Sequence, residues 1–304
     1  MTAVQPLLNA MSVDVEEYFH ASALARVAPH AHWDALPSRV DPTTRRLLDL
    51  FASRHVYATF FVLGWVAERH PELVRDIVAA GHEVASHGYG HEIVYTLSPA
   101  AFRQDVRRSK QILEDLVGQP VVGYRAPSFS ITRKSLWALD VLLEEGYRYD
   151  ASIFPVRHDR YGIPDAPRHA YTMSLEAGTL VELPPSTIRV GGQNLAVAGG
   201  GYFRLLPYGW TRLGLARLNR REGRPAIFYL HPWEIDTEQP RLAVGLATRL
   251  RHYGNLGRTL GRLDRLLSEF RFGRVSDVLR AIGPLPLSDV NFERCTPAEP
   301  RNPQ

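Results

Sequence analysis

Short apolar runs rich in β-branched and aromatic residues alternate along this 304-residue chain with longer segments whose apolar residues repeat at helical spacing. Residues 7–15 and 57–63 are runs of the first kind, and 121–125, 179–183 and 226–231 follow them. Between them, residues 41–54 place Leu47, Leu48 and Phe51 on one helical face. Residues 71–80 form a shorter helix stopped by Gly81. Ser98 is a good N-cap for a helix carrying a Phe102, Val106, Leu113 and Leu116 stripe, which Gly118 ends; a further helix, 132–145, stops at Gly146. Strands separated by helices pair in parallel, which predicts an α/β architecture, either a barrel or a doubly wound sheet. Both collect their ligands at the C-terminal ends of the strands.

Polar residues stand at those ends. Asp14 and Glu16 close the first run, and two residues apart on a strand they share a face. His87 and His91 follow the short strand-like stretch 81–86, and at i and i+4 of a helical turn both imidazoles could reach one ion. Two histidines and a carboxylate form a ligand set for a catalytic divalent metal with open positions, leaving Asp14 free to act as a base. Glu17 competes with Glu16 for the ligand role but points to the opposite strand face from Asp14, so Glu16 is preferred. The bland alternatives are a chance histidine pair and solvated carboxylates; the strand-end position favours the metal site.

Five ordered segments then resemble the polysaccharide deacetylases of the NodB-homology group, carbohydrate esterase family four: Ser12-Val13-Asp14-Val15-Glu16, Ser86-His87-Gly88-Tyr89-Gly90-His91, Tyr124-Arg125-Ala126-Pro127-Ser128-Phe129, Tyr149-Asp150-Ala151-Ser152 and Tyr229-Leu230-His231-Pro232-Trp233-Glu234. Residues 14–19 and 270–273 also resemble an exosortase-associated exopolysaccharide subgroup. The resemblance implies a distorted (β/α) barrel with fewer than eight strands. It implies one divalent ion on Glu16, His87 and His91, zinc by ligand type, with cobalt, nickel or manganese as substitutes. Asp14 would be the base, Arg125 would hold it ionised, His231 would be the proton donor and Asp150 would orient His231. Tyr202, Trp233 and Pro127 are the expected substrate contacts. Most family members carry two adjacent aspartates where this chain has Asp14-Val15, so its carboxylate ligand is displaced by one residue.

Composition supports a globular protein: 45% of residues are hydrophobic and 22% charged. Residues 1–235 are expected to form the barrel, 236–283 a basic helical extension packed on it, and 284–304 a Pro-rich flexible tail. Residues 155–178 should loop over the barrel mouth. Residues 184–207, with Gly199-Gly200-Gly201, should form a second loop approaching the substrate. Cys295 alone excludes an internal disulfide. Residues 1–10 lack the features of a signal peptide, so a cytoplasmic location is expected. From Arg241 to Arg280 there are nine arginines and three acids, a face that could meet an anionic lipid-linked glycan or a membrane surface. No motif suggests nucleic acid. The function expected is metal-dependent removal of N-acetyl groups from N-acetylhexosamines of an exopolysaccharide or its lipid-linked precursor. The alternatives are hydrolysis of a small linear or cyclic amide, and a non-catalytic carbohydrate-binding protein.

Overall fold

The computed structural model describes residues 6–288; the expected tail beyond 288 and Cys295 lie outside them. In chain order the elements are β1 (Leu8–Val15), α1 (Val40–Ser53), β2 (Thr59–Val62), α2 (Gly64–Arg69), α3 (Pro71–Ala79), β3 (Glu83–Ser86), α4 (Pro99–Val117), β4 (Gly123–Tyr124), α5 (Trp137–Glu144) and β5 (Tyr149–Asp150). Then come β6 (Tyr171–Leu175), β7 (Gly178–Glu182), β8 (Thr187–Val190), β9 (Gln193–Ala196), α6 (Gly200–Leu205), α7 (Tyr208–Arg220), β10 (Ile227–Leu230), α8 (Leu246–Tyr253), α9 (Leu256–Glu269), β11 (Arg271–Gly273) and α10 (Val275–Ile282).

The main sheet runs β10-β1-β2-β3-β4-β5-β7-β6 and is parallel except for β6, which folds back on β7; β11 adds to the start of β1. The ladder does not close, but Ser186 spans the gap after β7: its N–H donates to the Ile227 carbonyl and its Oγ accepts the Ile227 N–H. Alternation sorts the side chains of the parallel strands. Met11, Val13, Val15, Phe60 and Val62 face the outer helices. Ala10, Phe61, Ala85, Tyr149, Ala151 and Ile227 meet in a separate interior cluster, into which α10 inserts Val275 and Val278. The interior is therefore a packed core plugged at one end, as in a barrel.

Register aligns the strand ends. Val15 pairs with Val62, Val62 with Ser86, Ser86 with Tyr124, Tyr124 with Asp150 and Asp150 with Glu182. Every motif residue following these positions therefore emerges at one edge.

Four expectations change. Residues 155–178 are not a loop throughout, because Tyr171–Leu175 pairs with β7 as β6. The glycine run is no open loop: residues 187–196 form a hairpin and Gly200–Leu205 is helical, with Gly199 and Gly200 at positive φ packed too close to Tyr229 for a Cβ. The C-terminal extension is part of the core, since β11 joins the sheet and α10 plugs the interior. Residues 286–288 also run beside β6, with Ser288 N–H donating to the Thr172 carbonyl and Thr172 N–H to that of Pro286. The arginines of the extension are largely used internally. Arg262 donates to the carbonyls of Phe203, Arg204 and Leu206, Arg265 pairs with Glu269, and Arg274 and Arg280 pair with Asp277. No helix among the described residues is long and apolar enough to cross a membrane.

Strand β4 approaches β5 so closely that a Cβ on Gly123 would lie 2.0 Å from the buried Tyr149 ring. Gly123→Ala should therefore lower stability by about 1–3 kcal/mol, the usual range for overpacking. A urea midpoint equal to wild type would show that the interior yields at this layer.

Candidate active site

Three potential ligands converge at the aligned strand ends. Glu16 Oε2 lies 2.7 Å from His91 Nε2 and 3.7 Å from His87 Nε2, and all three residues are buried. Their ligand atoms lie within 4.8 Å of one another. The His87 Nδ1–H donates to the Arg125 carbonyl at 2.8 Å, which leaves the Nε2 lone pair facing Glu16. Trp233 Nε1–H donates to Glu16 Oε1 at 2.9 Å, so the other oxygen is free to face the histidines. Two buried imidazole nitrogens and a carboxylate oxygen gathered this closely could hold one cation, and the donor set fits a divalent transition ion. Burial alone would raise the Glu16 carboxyl; His91, His231 and His87 outweigh it and hold the carboxyl well below its usual range.

The histidines do not converge as a helical turn. Residues 87–92 are irregular, with positive φ at Gly88 and His91. The half-buried Asp105 carboxylate accepts the Tyr89 and Gly90 N–H groups at 2.9 and 3.3 Å, and a Cβ on Gly88 would meet it at 2.8 Å. A loop clamped to α4 thus replaces the expected helix face. Glu17 turns away, its carboxylate accepting the Ser38 hydroxyl and the Arg39 N–H.

Asp14 stands beside the triad. Arg125, fully buried, donates to Asp14 Oδ1 at 2.6 Å and to Ser12 Oγ at 2.9 Å, and its guanidinium lies 4.1 Å over the Phe61 ring. His231 Nε2 is 3.8 Å from both Asp14 Oδ2 and Glu16 Oε1. Burial alone would lower the His231 imidazole, but Glu16, Glu234 and Asp14 push it up to about 9.

Asp150 does not orient His231. It lies at the end of β5, where Asp150 Oδ1 accepts the Ser152 hydroxyl at 2.5 Å and the carboxyl neighbours Glu182. Burial pushes Asp150 up to about 6, and burial followed by Asp150 raises Glu182 well above its usual range. The His231 Nδ1–H instead donates to Glu234 Oε2 at 3.0 Å. Glu234 went unassigned in the sequence, although its i+3 spacing from His231 matches a capping-box spacing.

The cleft above the triad has a volume of about 600 Å³ and is lined by Trp33, Tyr95, Phe129 and Tyr161, with Arg160 and Arg251 among its exposed residues. Trp233 lines it too, but is 7% exposed and stacks on His231 and His252, which leaves little ring for a sugar. Tyr202 sits beside the lining, its hydroxyl 3.3 Å from that of Tyr161. Pro127 is buried, and its neighbours Ala126 and Ser128 line the cleft instead.

One divalent ion per chain should bind, and His87→Ala or Glu16→Gln should abolish it, while Glu17→Gln retains it. Elemental analysis after dialysis checks this; full occupancy in His87→Ala would remove the triad as the site.

Comparison with known proteins matches the two halves of the chain to two family models. Residues 31–149 match the family model Polysaccharide deacetylase, and residues 151–280 match a domain of unknown function, DUF3473. A peptidoglycan deacetylase of Helicobacter pylori is 35% identical over 36% of this chain and 36% of its own length. A chitooligosaccharide deacetylase of Sinorhizobium fredii is 34% identical over 46% of this chain and 64% of its own. The chain thus spans only about a third to two thirds of the length of these relatives. Among solved structures, a chain from Mycobacterium smegmatis described as a polysaccharide deacetylase superposes with TM-score 0.62 at 21% identity, covering 95% of this chain and 98% of that one. The Puue allantoinase superposes with TM-score 0.58 at 17% identity, covering 90% and 89%. The structural likenesses show a shared α/β fold; the family model and the curated relatives support the polysaccharide deacetylase family for this chain.

Proposed function

We propose that this protein is a metal-dependent hydrolase that removes N-acetyl groups from N-acetylhexosamine units of a glycan. The observation that carries the reading is the conjunction at one strand edge: Asp14 and His231 both flank the Glu16–His87–His91 triad at the base of an aromatic-walled cleft. The names of the curated relatives, deacetylases of peptidoglycan and chitooligosaccharides, support the same chemistry.

A divalent ion held by the triad would polarise the acetyl carbonyl and ease deprotonation of water. Asp14 takes the proton from the attacking water, and Arg125 fixes the orientation of its carboxylate for that task. His231 donates a proton to the departing nitrogen, which an amide needs because its amine leaves badly. The cleft volume falls within the roughly 300–1,000 Å³ of ligand pockets. Tyr95 exposes 37% of its surface beside the cleft, which favours an extended sugar chain over a small enclosed amide. The finer assignment, to an exopolysaccharide or its lipid-linked precursor, rests on the subgroup resemblance of residues 14–19 and 270–273.

Acetate release from N-acetylated oligosaccharides should require added metal after chelation. Asp14→Asn should keep the ion and lose about 10²–10⁴-fold in turnover, since the base is gone while the ligands remain. Wild-type protein that releases acetate from no glycan, but ammonia or acid from small linear or cyclic amides, would replace this reading with the amide-hydrolase one.

A further inference from the structure

The residues matching the domain of unknown function supply a side-chain chain that ends on His231. Glu234, 1% exposed, lies in the short turn Pro232–Ile235 that follows β10. Its Oε2 accepts both the His231 N–H at 3.2 Å and the His231 Nδ1–H at 3.0 Å. Its Oε1 accepts Arg204 Nε–H at 3.1 Å. Arg204, 2% exposed, comes from α6 and donates its two terminal nitrogens to the carbonyls of Gly254 and Arg251, each at 2.7 Å. The elbow between α8 and α9 and α9 itself return the contact, with Asn255 Nδ2 and Arg262 respectively donating to the Arg204 carbonyl. A buried carboxylate with one oxygen on an imidazole and the other on a guanidinium has its geometry set from both sides.

We propose that Glu234, clamped by Arg204, is the residue that positions His231 as the proton donor in this chain, in place of Asp150. The inference rests on the hydrolase reading for its chemistry. In the step, His231 Nε2 gives its proton to the amide nitrogen as the C–N bond breaks and the bonding pair stays on nitrogen. The imidazole is left neutral with its remaining proton on Nδ1, held by Glu234. The second half of the reaction centre is thus built by the 151–280 segment, and α8 and α9 act as its scaffold.

Amide substitution gives a sharp test. Oε2 takes two His231 donors and Oε1 the Arg204 cation, so the carboxamide introduced by Glu234→Gln leaves one of these sides without its acceptor. Whichever end its carbonyl meets, the negative charge that holds the Nδ1 proton is lost. In the full-length zinc-loaded protein, ¹⁵N spectra of the His231 ring should show a protonated Nδ1 in wild type, and its resonance should shift in Glu234→Gln, where the carboxylate acceptor is gone. Acetate release from an N-acetylated oligosaccharide should fall about 10²–10³-fold, within the range for general acid catalysis. Hydrolysis of p-nitrophenyl acetate, whose leaving group needs no proton, should fall less than about tenfold. Asp150→Asn should change both rates by the same factor. If Glu234→Gln fails to fold, Glu234→Asp keeps the charge, shortens the reach and should show the same substrate-selective loss in milder form. Equal losses on both substrates, or an Nδ1 resonance unchanged in Glu234→Gln, would overturn the proposal. A wild type inactive on every glycan would sink the hydrolase reading, and the ring spectra would still decide on Glu234.

Discussion

The fully buried Arg125 organises both the barrel interior and the site. Its guanidinium bonds Asp14 and Ser12 on β1 and the Ala151 carbonyl after β5, while its own carbonyl takes the His87 Nδ1–H. One residue therefore couples Asp14, His87 and strands on two sides of the interior. A buried cation is costly unless paired, and removing one partner of such a pair costs about 3–5 kcal/mol. The site and the fold are consequently not separable at this position: a change that frees Asp14 also leaves a charge stranded in the core.

Around that pivot the chain divides its work. The first half provides Asp14, Glu16, His87 and His91, the residues proposed to hold an ion and take a proton. The second half provides His231, Glu234 and Arg204, and Trp233 reaches back to fix Glu16. The Trp233 bond joins the halves: the ring stacked on His231 also determines which oxygen of Glu16 faces the histidines. Glutamate is long enough to make both contacts from beyond the end of β1, where Val15 has already turned into the outer core.

The alternation of strands and helices was legible because it rests on local periodicity, and so were the ends of α4, set by Ser98 and Gly118. Glu16, His87 and His91 were legible as types at strand ends. What sequence spacing misjudged was orientation. His87 and His91 meet through a loop held by Asp105, sixteen residues from Tyr89, and no periodicity encodes that clamp. Asp150 was misplaced because its burial beside Glu182 depends on β7, which pairs with β5 only in the folded sheet. Arg204 had no signal beyond a basic residue after three glycines; its carbonyl partners lie about fifty residues downstream.

The C-terminal segment reads differently once its partners are counted. A basic extension suggests an anionic surface, yet Arg262, Arg265, Arg274 and Arg280 bond within the chain, and Arg54 reaches out to Asp264 from α1. Its apolar residues do the same: Leu263 and Leu266 join the main core, and Val275 and Val278 fill the interior beneath Phe61 and Tyr149. At the opposite edge of the sheet, the carbonyls of Arg251 and Gly254 anchor Arg204. The segment therefore touches both ends of the strand array, closing the interior at one end and steadying the imidazole at the other. A chain that needs its last helices for both purposes cannot shed them as a separable module, because losing them would uncover the apolar interior and unclamp Glu234 in the same step.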